Sequence, residues 1–257
     1  MKLPAIGTCQ IKLADASIGK FEFDAHQSAY LAFASRFYSG GYEPAETMFL
    51  EAMLARSRCF YDVGSNWGYF SLLAATHPNF EEKIYSFDVS NEMNSALARI
   101  VQTLGLQTIE VMGCGLSDHS GSVQISDQRA LHLTTVVSHA GGVVAQVTKL
   151  DDMDRPPPDL IKLDVEDHEF EVLDGGRRIL REHRPVVLYE TRVGDDGGKT
   201  SELLRNYGYR LYGINERFGT ETGVELFPLN PDRDQRGGQQ NLVAVPIGDE
   251  ARWFDQQ

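Results

Sequence analysis

Residues 60–75 constrain the fold more than any other stretch of this chain. They open with a short apolar, β-prone run (Phe60, Tyr61, Asp62, Val63), break at Gly64 and Gly68, and resume with apolar residues at helical spacing through Ala75. That succession predicts a strand, a tight turn and a helix. Neither glycine has a Cβ, so a ligand can approach the backbone there, and the helix that follows points its free N–H groups into the turn. A glycine turn can also serve packing alone. Asp62 at the strand end and Asn66 inside the turn favour a site, because they put polar groups where an open parallel sheet binds its ligands.

The glycine spacing is not G-x-G-x-x-G, so the loop is not built for a dinucleotide pyrophosphate. It is closer to the open loop that accepts the amino-acid end of S-adenosylmethionine, a ligand with a carboxylate and an ammonium in place of a diphosphate. Lys83 to Asp88 reads as the second strand. Asp88 follows Gly64 at about the spacing, roughly 20 residues, at which a carboxylate of the next strand meets a ribose. Residues 90–104 read as a helix with Ser90 as N-cap and Gly105 as its stop. A third strand is expected over residues 108–116, its end beside the nucleotide base, with Gly115 and Leu116 as the wall.

Before the glycine turn, residues 9–24 alternate like a hairpin turning near Ala16, and residues 25–38 read as a helix ended by Gly40 and Gly41. A second helix starts at Tyr42-Glu43-Pro44, with proline in its first turn. These segments are expected to cap the ligand cleft, and Glu43 sits where it could touch a ligand or simply favour a helix start. Residues 122–126 and 143–148 read as accessory strands around a loop whose His132 and His139 have no partners at metal-ligand spacing.

The second organised stretch runs from Pro158 to Gly176. Residues 160–165 read as a strand and 168–181 as a helix, and five acids and one histidine crowd their junction. Acids at a helix N-terminus are each worth about 0.3–1 kcal/mol through the dipole alone, which accounts for Glu169 and Glu171. Asp164 is different. It closes a strand flanked by Leu163 and Val165, where a carboxylate is costly unless it is paired or faces a cleft. Asp164, Glu166 and His168 are therefore the candidate catalytic residues; all three residue types can ligate a metal, but no recognised spacing supports one and none is assigned. Residues 184–190, 209–214 and 241–246 read as the last three strands, with a surface loop over 215–238.

A formal net charge of -13 argues against a nucleic-acid or anionic-membrane partner. Cys9, Cys59 and Cys114 show no C-x-x-C spacing, so neither a disulfide framework nor a zinc site is indicated. The first residues lack a signal-peptide core and no run reaches membrane-span length, which leads to a cytoplasmic protein as the expectation. No long linker divides the chain, so the simplest organisation is one domain with an N-terminal extension.

Two motifs in order carry a resemblance. Asp62-Val63-Gly64-Ser65-Asn66-Trp67-Gly68-Tyr69-Phe70-Ser71, then Ile161-Lys162-Leu163-Asp164-Val165-Glu166-Asp167-His168-Glu169 with Arg184-Pro185-Val186-Val187-Leu188-Tyr189-Glu190, resemble the FkbM family of methyltransferases. Weaker echoes are Tyr42-Glu43-Pro44, Gly115-Leu116-Ser117-Asp118 and Asn241 to Pro246. The resemblance implies an α/β, Rossmann-like class I methyltransferase fold: a seven-stranded, mostly parallel sheet with an antiparallel last strand, helices on both faces and an N-terminal cap. Residues 1–55 would form the hairpin and helical cap, and 56–257 the methyltransferase domain. It implies S-adenosylmethionine as donor and, usually, O-methylation of a hydroxyl on a sugar or secondary metabolite. Asp62, Gly64, Ser65, Asn66, Gly68 and Phe70 then form the donor turn, Asp88 and Val89 the ribose end, and Gly115 and Leu116 the base wall. There are departures: Ser65 stands where the family commonly has alanine, Asp88-Val89 replaces Glu-Pro, and Asp167 replaces the glycine of the D-V-E-G-H-E run.

Methyl transfer needs the acceptor oxygen held in line, water kept out and a base for the alcohol proton. Glu166 or His168 is expected to take that proton and Asp164 to orient acceptor or donor. Partners reduce to a small hydroxylated acceptor, and a homo-oligomer is compatible with the sequence without being specified by it. Two rivals remain: a dinucleotide-dependent oxidoreductase, against which the missing third glycine counts, and a catalytically silent relative that binds a partner protein.

Overall fold

The computed structural model describes residues 6–13, 15–24, 42–128, 133–136, 143–192, 197–217, 223–229 and 239–254. The helix expected over residues 25–38 and the histidines His132 and His139 lie outside them. In chain order the described elements begin with the hairpin β1 (Ile6–Lys12) and β2 (Ile18–Asp24), then α1 (Pro44–Leu54), β3 (Cys59–Val63), α2 (Tyr69–Ala75), β4 (Lys83–Phe87) and α3 (Asn91–Leu104). They continue with β5 (Ile109–Val111), β6 (Gly115–Ser117), β7 (Gly121–Gln128), β8 (Leu133–Val136), β9 (Val143–Lys149), β10 (Leu160–Leu163), α4 (Glu169–Asp174) and α5 (Arg177–Glu182). The chain closes with β11 (Val186–Arg192), α6 (Gly197–Asn206), β12 (Tyr209–Arg217), β13 (Gly223–Pro228), β14 (Gln239–Pro246) and α7 (Glu250–Phe254).

The central sheet has the order β13-β12-β14-β11-β10-β3-β4-β5. Five strands, β11 through β5, are mutually parallel, and β14 inserts antiparallel between β11 and β12. The antiparallel last strand is as expected. The strand count is not: residues 215–238 were read as a surface loop, yet β12 runs on to Arg217 and β13 pairs with it as an eighth, edge strand. The Val224, Leu226 alternation that packs against the core is short enough to be lost in a polar, glycine-rich stretch.

A second correction concerns the third strand. It breaks after Val111, and Gly115–Ser117 leaves the main sheet to pair in parallel with β9 in a small sheet of order β6-β9-β7-β8. Gly113, at φ 68°, supplies the left-handed residue on which the chain turns. The helix expected over 168–181 is likewise two helices. Gly175 and Gly176 separate them because β6 packs against the break: a Cβ on Gly175 would lie 2.1 Å from the Ser117 carbonyl oxygen.

Period-two alternation sorts the parallel strands into two cores. Phe60, Ile84, Leu160, Val186 and Leu188 face one core, which contains α1, α2, α3 and the hairpin residues Ile11 and Phe21. Tyr61, Val63, Phe87, Ile161, Leu163 and Tyr189 face the other, with α4, α5 and α6. Helix α3 is ended as its sequence implies: the Ser90 hydroxyl accepts from the Met93 N–H at 3.4 Å, and Gly105 closes it at φ 66°. Among the described residues no helix is long and apolar enough to cross a membrane.

Candidate active site

The same alternation that makes the first core also places polar groups on its face at the carboxyl ends of the strands. Asp62 shares a face with Phe60, Ser86 with Ile84, Lys162 with Leu160, and Glu190 with Leu188. The sheet register sets Lys162 directly opposite Asp62. Buried charged groups at that place in an open parallel sheet mark the crevice where ligands bind.

The glycine turn follows β3. Gly64 and Gly68 have φ of 77° and 91°, and Asn66 between them is also left-handed at 50°. Gly64 admits no side chain, since a Cβ would sit 1.7 Å from the Asp164 carbonyl oxygen. The turn is therefore pressed against the end of β10. The N–H groups of Gly64 and Ser65 both donate to the Phe87 carbonyl at 2.9 Å, and that of Asn66 to Asp88 Oδ2 at 2.8 Å. Asp88 Oδ1 accepts from the Ser90 N–H at 2.7 Å. Burial raises the Asp88 pKa to about 6, with those two N–H groups pulling the other way. Val89 beside it lies against Gly115, whose missing Cβ leaves the room that Val89 fills.

Asp62 is wholly buried. Its Oδ2 accepts from the Ser71 hydroxyl at 2.6 Å, and Ser71 and Ser86 hydroxyls lie 2.5 Å apart. Burial raises its pKa, while Lys162 and Ser71 oppose the shift. Three polar atoms around the turn, Asp62 Oδ1, Ser65 Oγ and Asn66 Oδ1, are buried and find no hydrogen-bond partner among the described residues. Native interiors rarely leave such atoms unpaired, and here they flank one loop whose glycines keep side chains away. A ligand with an ammonium and hydroxyls fits that arrangement. Phe70 is buried in the first core beneath the Lys162 ammonium, 4.6 Å from the ring centroid. The Leu116 side chain is packed in the second core.

On the β10 and β11 side the structure brings together Asp164, Glu166 and Glu190, each with one carboxylate oxygen within 4.8 Å of the others. Three oxygens at that spacing suit a shared proton or a hard divalent cation. Burial first, then the charges of Asp164, Glu166 and Glu169, raise the Glu190 pKa to about 8. Glu169 is raised to about 7, again chiefly by burial, while its Oε1 accepts from the Val165 N–H at 3.0 Å.

His168 does not join this trio. Its Nε2 lies 2.9 Å from the Ser117 hydroxyl and its Nδ1 3.5 Å from Glu171 Oε2, and burial lowers its pKa. Through the Ser117 contact it ties the start of α4 to β6.

Two residues of the site escaped the sequence reading. Glu190 was seen as a strand-end acid but given no role; the signal was that four parallel strands, β3, β4, β10 and β11, each end in a carboxylate. Lys162 lies inside the apolar run Leu160 to Leu163, where only a buried partner permits a charge.

A parallel sheet with an antiparallel strand inserted before its sixth member, an acid after each central strand and a glycine turn with unpaired polar atoms define a Rossmann-like methyltransferase. The Methyltransferase FkbM domain matches residues 62–211, and the hexuronic acid methyltransferase AglP of Haloferax volcanii is 31% identical over 182 residues, covering 68% of this chain and 67% of that protein. The chain belongs to the FkbM methyltransferase family, whose methyl donor is S-adenosylmethionine. Among solved structures, the methyltransferase FkbM from Methylobacillus flagellatus is 21% identical with a TM-score of 0.48, covering 67% of this chain; this chain spans 44% of it. An O-methyltransferase from Bacillus cereus in complex with SAH is 12% identical with a TM-score of 0.48, covering 86% and 89% of the two chains.

Proposed function

We propose that this protein O-methylates a hydroxyl of a small sugar or related metabolite, with Asp62, Gly64, Ser65, Asn66, Gly68, Phe70, Asp88, Val89, Gly115 and Leu116 forming the donor site. The observation that carries the hydroxyl reading is the carboxylate trio next to the donor turn. A hydroxyl must lose its proton as its oxygen is methylated, and a carboxylate with raised proton affinity is the group to take it. An acceptor carboxylate is already ionised and would need no base. The sugar part of the reading is supported by the Haloferax relative, named for a hexuronic acid.

Bound in the turn, S-adenosylmethionine supplies an electrophilic methyl group on sulfur. Asp88 offers the carboxylate for the ribose hydroxyls, and its two backbone N–H partners fix the direction in which it does so. Asp164 orients the reactants at the junction of turn and trio. Glu166 or Glu190 would accept the hydroxyl proton as the acceptor oxygen takes the methyl group, the S–CH3 bond of the donor breaking to leave S-adenosylhomocysteine. Mass spectrometry of the purified protein for retained S-adenosylhomocysteine, then an S-adenosylhomocysteine-release assay on neutral hexosides and hexuronic acid glycosides, tests this. Turnover yielding an ether is expected; a methyl ester as the sole product would overturn the hydroxyl reading, and absence of donor binding the whole.

A further inference from the structure

Lys162 is a lysine in the middle of a central parallel strand, 5% exposed, where burial alone works against its charge. The neighbouring carboxylates of Asp164, Glu43 and Asp62 more than reverse that, and its pKa lies above the ordinary lysine range. Its ammonium is 2.6 Å from Asp164 Oδ2 and stands over the face of Phe70. Glu43, distant along the chain, is near enough for its charge to act on the ammonium. It holds a left-handed backbone, φ 40° and ψ 67°, at the N-terminus of α1, a conformation that a non-glycine residue rarely adopts. So one buried cation lies in the field of acids from three separate segments, and Asp164, which it touches, is half-buried where Asp62 is wholly buried.

We propose that Lys162 is a positioning residue for the methyl transfer: from inside the sheet it holds the Asp164 carboxylate at the mouth of the cleft, against the donor turn. This rests on the reading of that turn as the donor site. Asp164 is the junction of both halves, because its carbonyl packs on Gly64 while its carboxylate joins Glu166 and Glu190. Without the ammonium, Asp164 would face Asp62 and Glu43 uncompensated and would turn away. A charge that merely screened the acids would act oppositely, since its removal would leave the cleft more negative and more attractive to a sulfonium.

Calorimetric titration of S-adenosylmethionine into wild type, Lys162→Met, Lys162→Arg, Asp164→Asn and the Lys162→Met/Asp164→Asn double variant separates the two, with thermal unfolding run on each. The expected result is a loss of about tenfold or more in both single neutral variants, a double variant no weaker than the weaker single, and Lys162→Arg within about threefold of wild type. Unchanged or tighter binding in Lys162→Met, or losses that multiply in the double variant, would overturn the assignment. If Lys162→Met does not fold, the decision falls to Asp164→Asn and Lys162→Arg: a folded Asp164→Asn with wild-type affinity overturns the proposal. Failure of the wild-type protein to bind donor sinks the donor-site reading and this role together, whereas a binding wild type with indifferent variants sinks this role alone.

Discussion

The two halves of the cleft are built in different ways. On the β3 and β4 side, local backbone does the work: glycines open the turn, main-chain N–H groups fasten Asp88, and three buried polar atoms are left over for a ligand. On the β10 and β11 side the work falls to side-chain charge, with carboxylates crowded within 4.8 Å and one buried lysine against them. A backbone-built half binds by shape and hydrogen bonds and is preorganised before any ligand arrives. A charge-built half stores proton affinity, which is what a chemical step needs and a binding site does not. On the proposed function the contrast puts donor affinity in the first half and in the Asp164–Lys162 pair that braces it, and turnover in Glu166 and Glu190.

The sharpest test is at the seam. Gly64→Ala puts a Cβ onto the Asp164 carbonyl, a backbone atom that cannot rotate away, and does so at φ 77°. A loss of about 3 kcal/mol or outright failure to fold is expected in urea unfolding. Gly68→Ala, also left-handed at φ 91°, meets the buried Leu97 side chain rather than backbone, so a smaller loss of about 1–2 kcal/mol is expected there. Equal losses at the two positions would show that the turn does not press on β10.

Next in size is the split between affinity and rate. Asp88→Ala strands the N–H groups of Asn66 and Ser90 and should weaken S-adenosylmethionine by roughly tenfold or more. Glu190→Gln should leave donor affinity within about threefold while turnover falls on the order of a hundredfold. A Glu190→Gln protein that loses affinity instead of rate would break the division of labour.

The backbone-built half was also the half legible in the sequence, and for a physical reason. Gly64, Asn66, Gly68 and Asp88 lie close along the chain, and their roles follow from turn geometry and from the length of one strand-helix-strand unit. Lys162 and Glu190 acquire meaning only when β10 is laid between β3 and β11 and period-two alternation turns their side chains to one face, which is information about pairing. The Ser117 contact of His168 was hidden for the same reason: Ser117 belongs to a strand that leaves the main sheet, and Gly113, on which the chain turns away, sits inside a run that otherwise reads as one strand. The eighth strand was hidden by the polar stretch around it.

Proton affinity stored in the charge-built half has a sign that stability measurements can read. Burial and neighbouring carboxylates push Glu190 up to about 8 and Glu169 to about 7 when folded, against roughly 4 in an unfolded chain. The folded state therefore holds protons that the unfolded state has released across that window, so stability falls as pH rises from 6.5 to 8.5. His168, lowered by burial, works the other way but only below its ordinary value near 6.5. The unfolding temperature should drop over that interval in the wild type and drop less in Glu190→Gln. A profile that is flat in both would remove the charge-built half from the account.

The smallest expected effect concerns the link between the halves. Glu166 and Asp167 are consecutive left-handed residues, φ 51° and 72°, and they set the turn that carries Glu166 to the trio. Asp167 stands where the resembling family has glycine, and the geometry explains the preference: at φ 72° glycine pays no Cβ penalty, while aspartate is merely among the more tolerant of the other residues. Asp167→Gly also removes one of the charges that raise Glu169. Against these gains stands the extra freedom glycine gives the unfolded chain, so a net stabilisation of only about 0.5 kcal/mol is expected. Because the turn keeps its shape, Glu166 stays in the trio and turnover should be retained. If the variant were more stable but inactive, the charge of Asp167 rather than the shape of its turn would be what this half of the cleft requires.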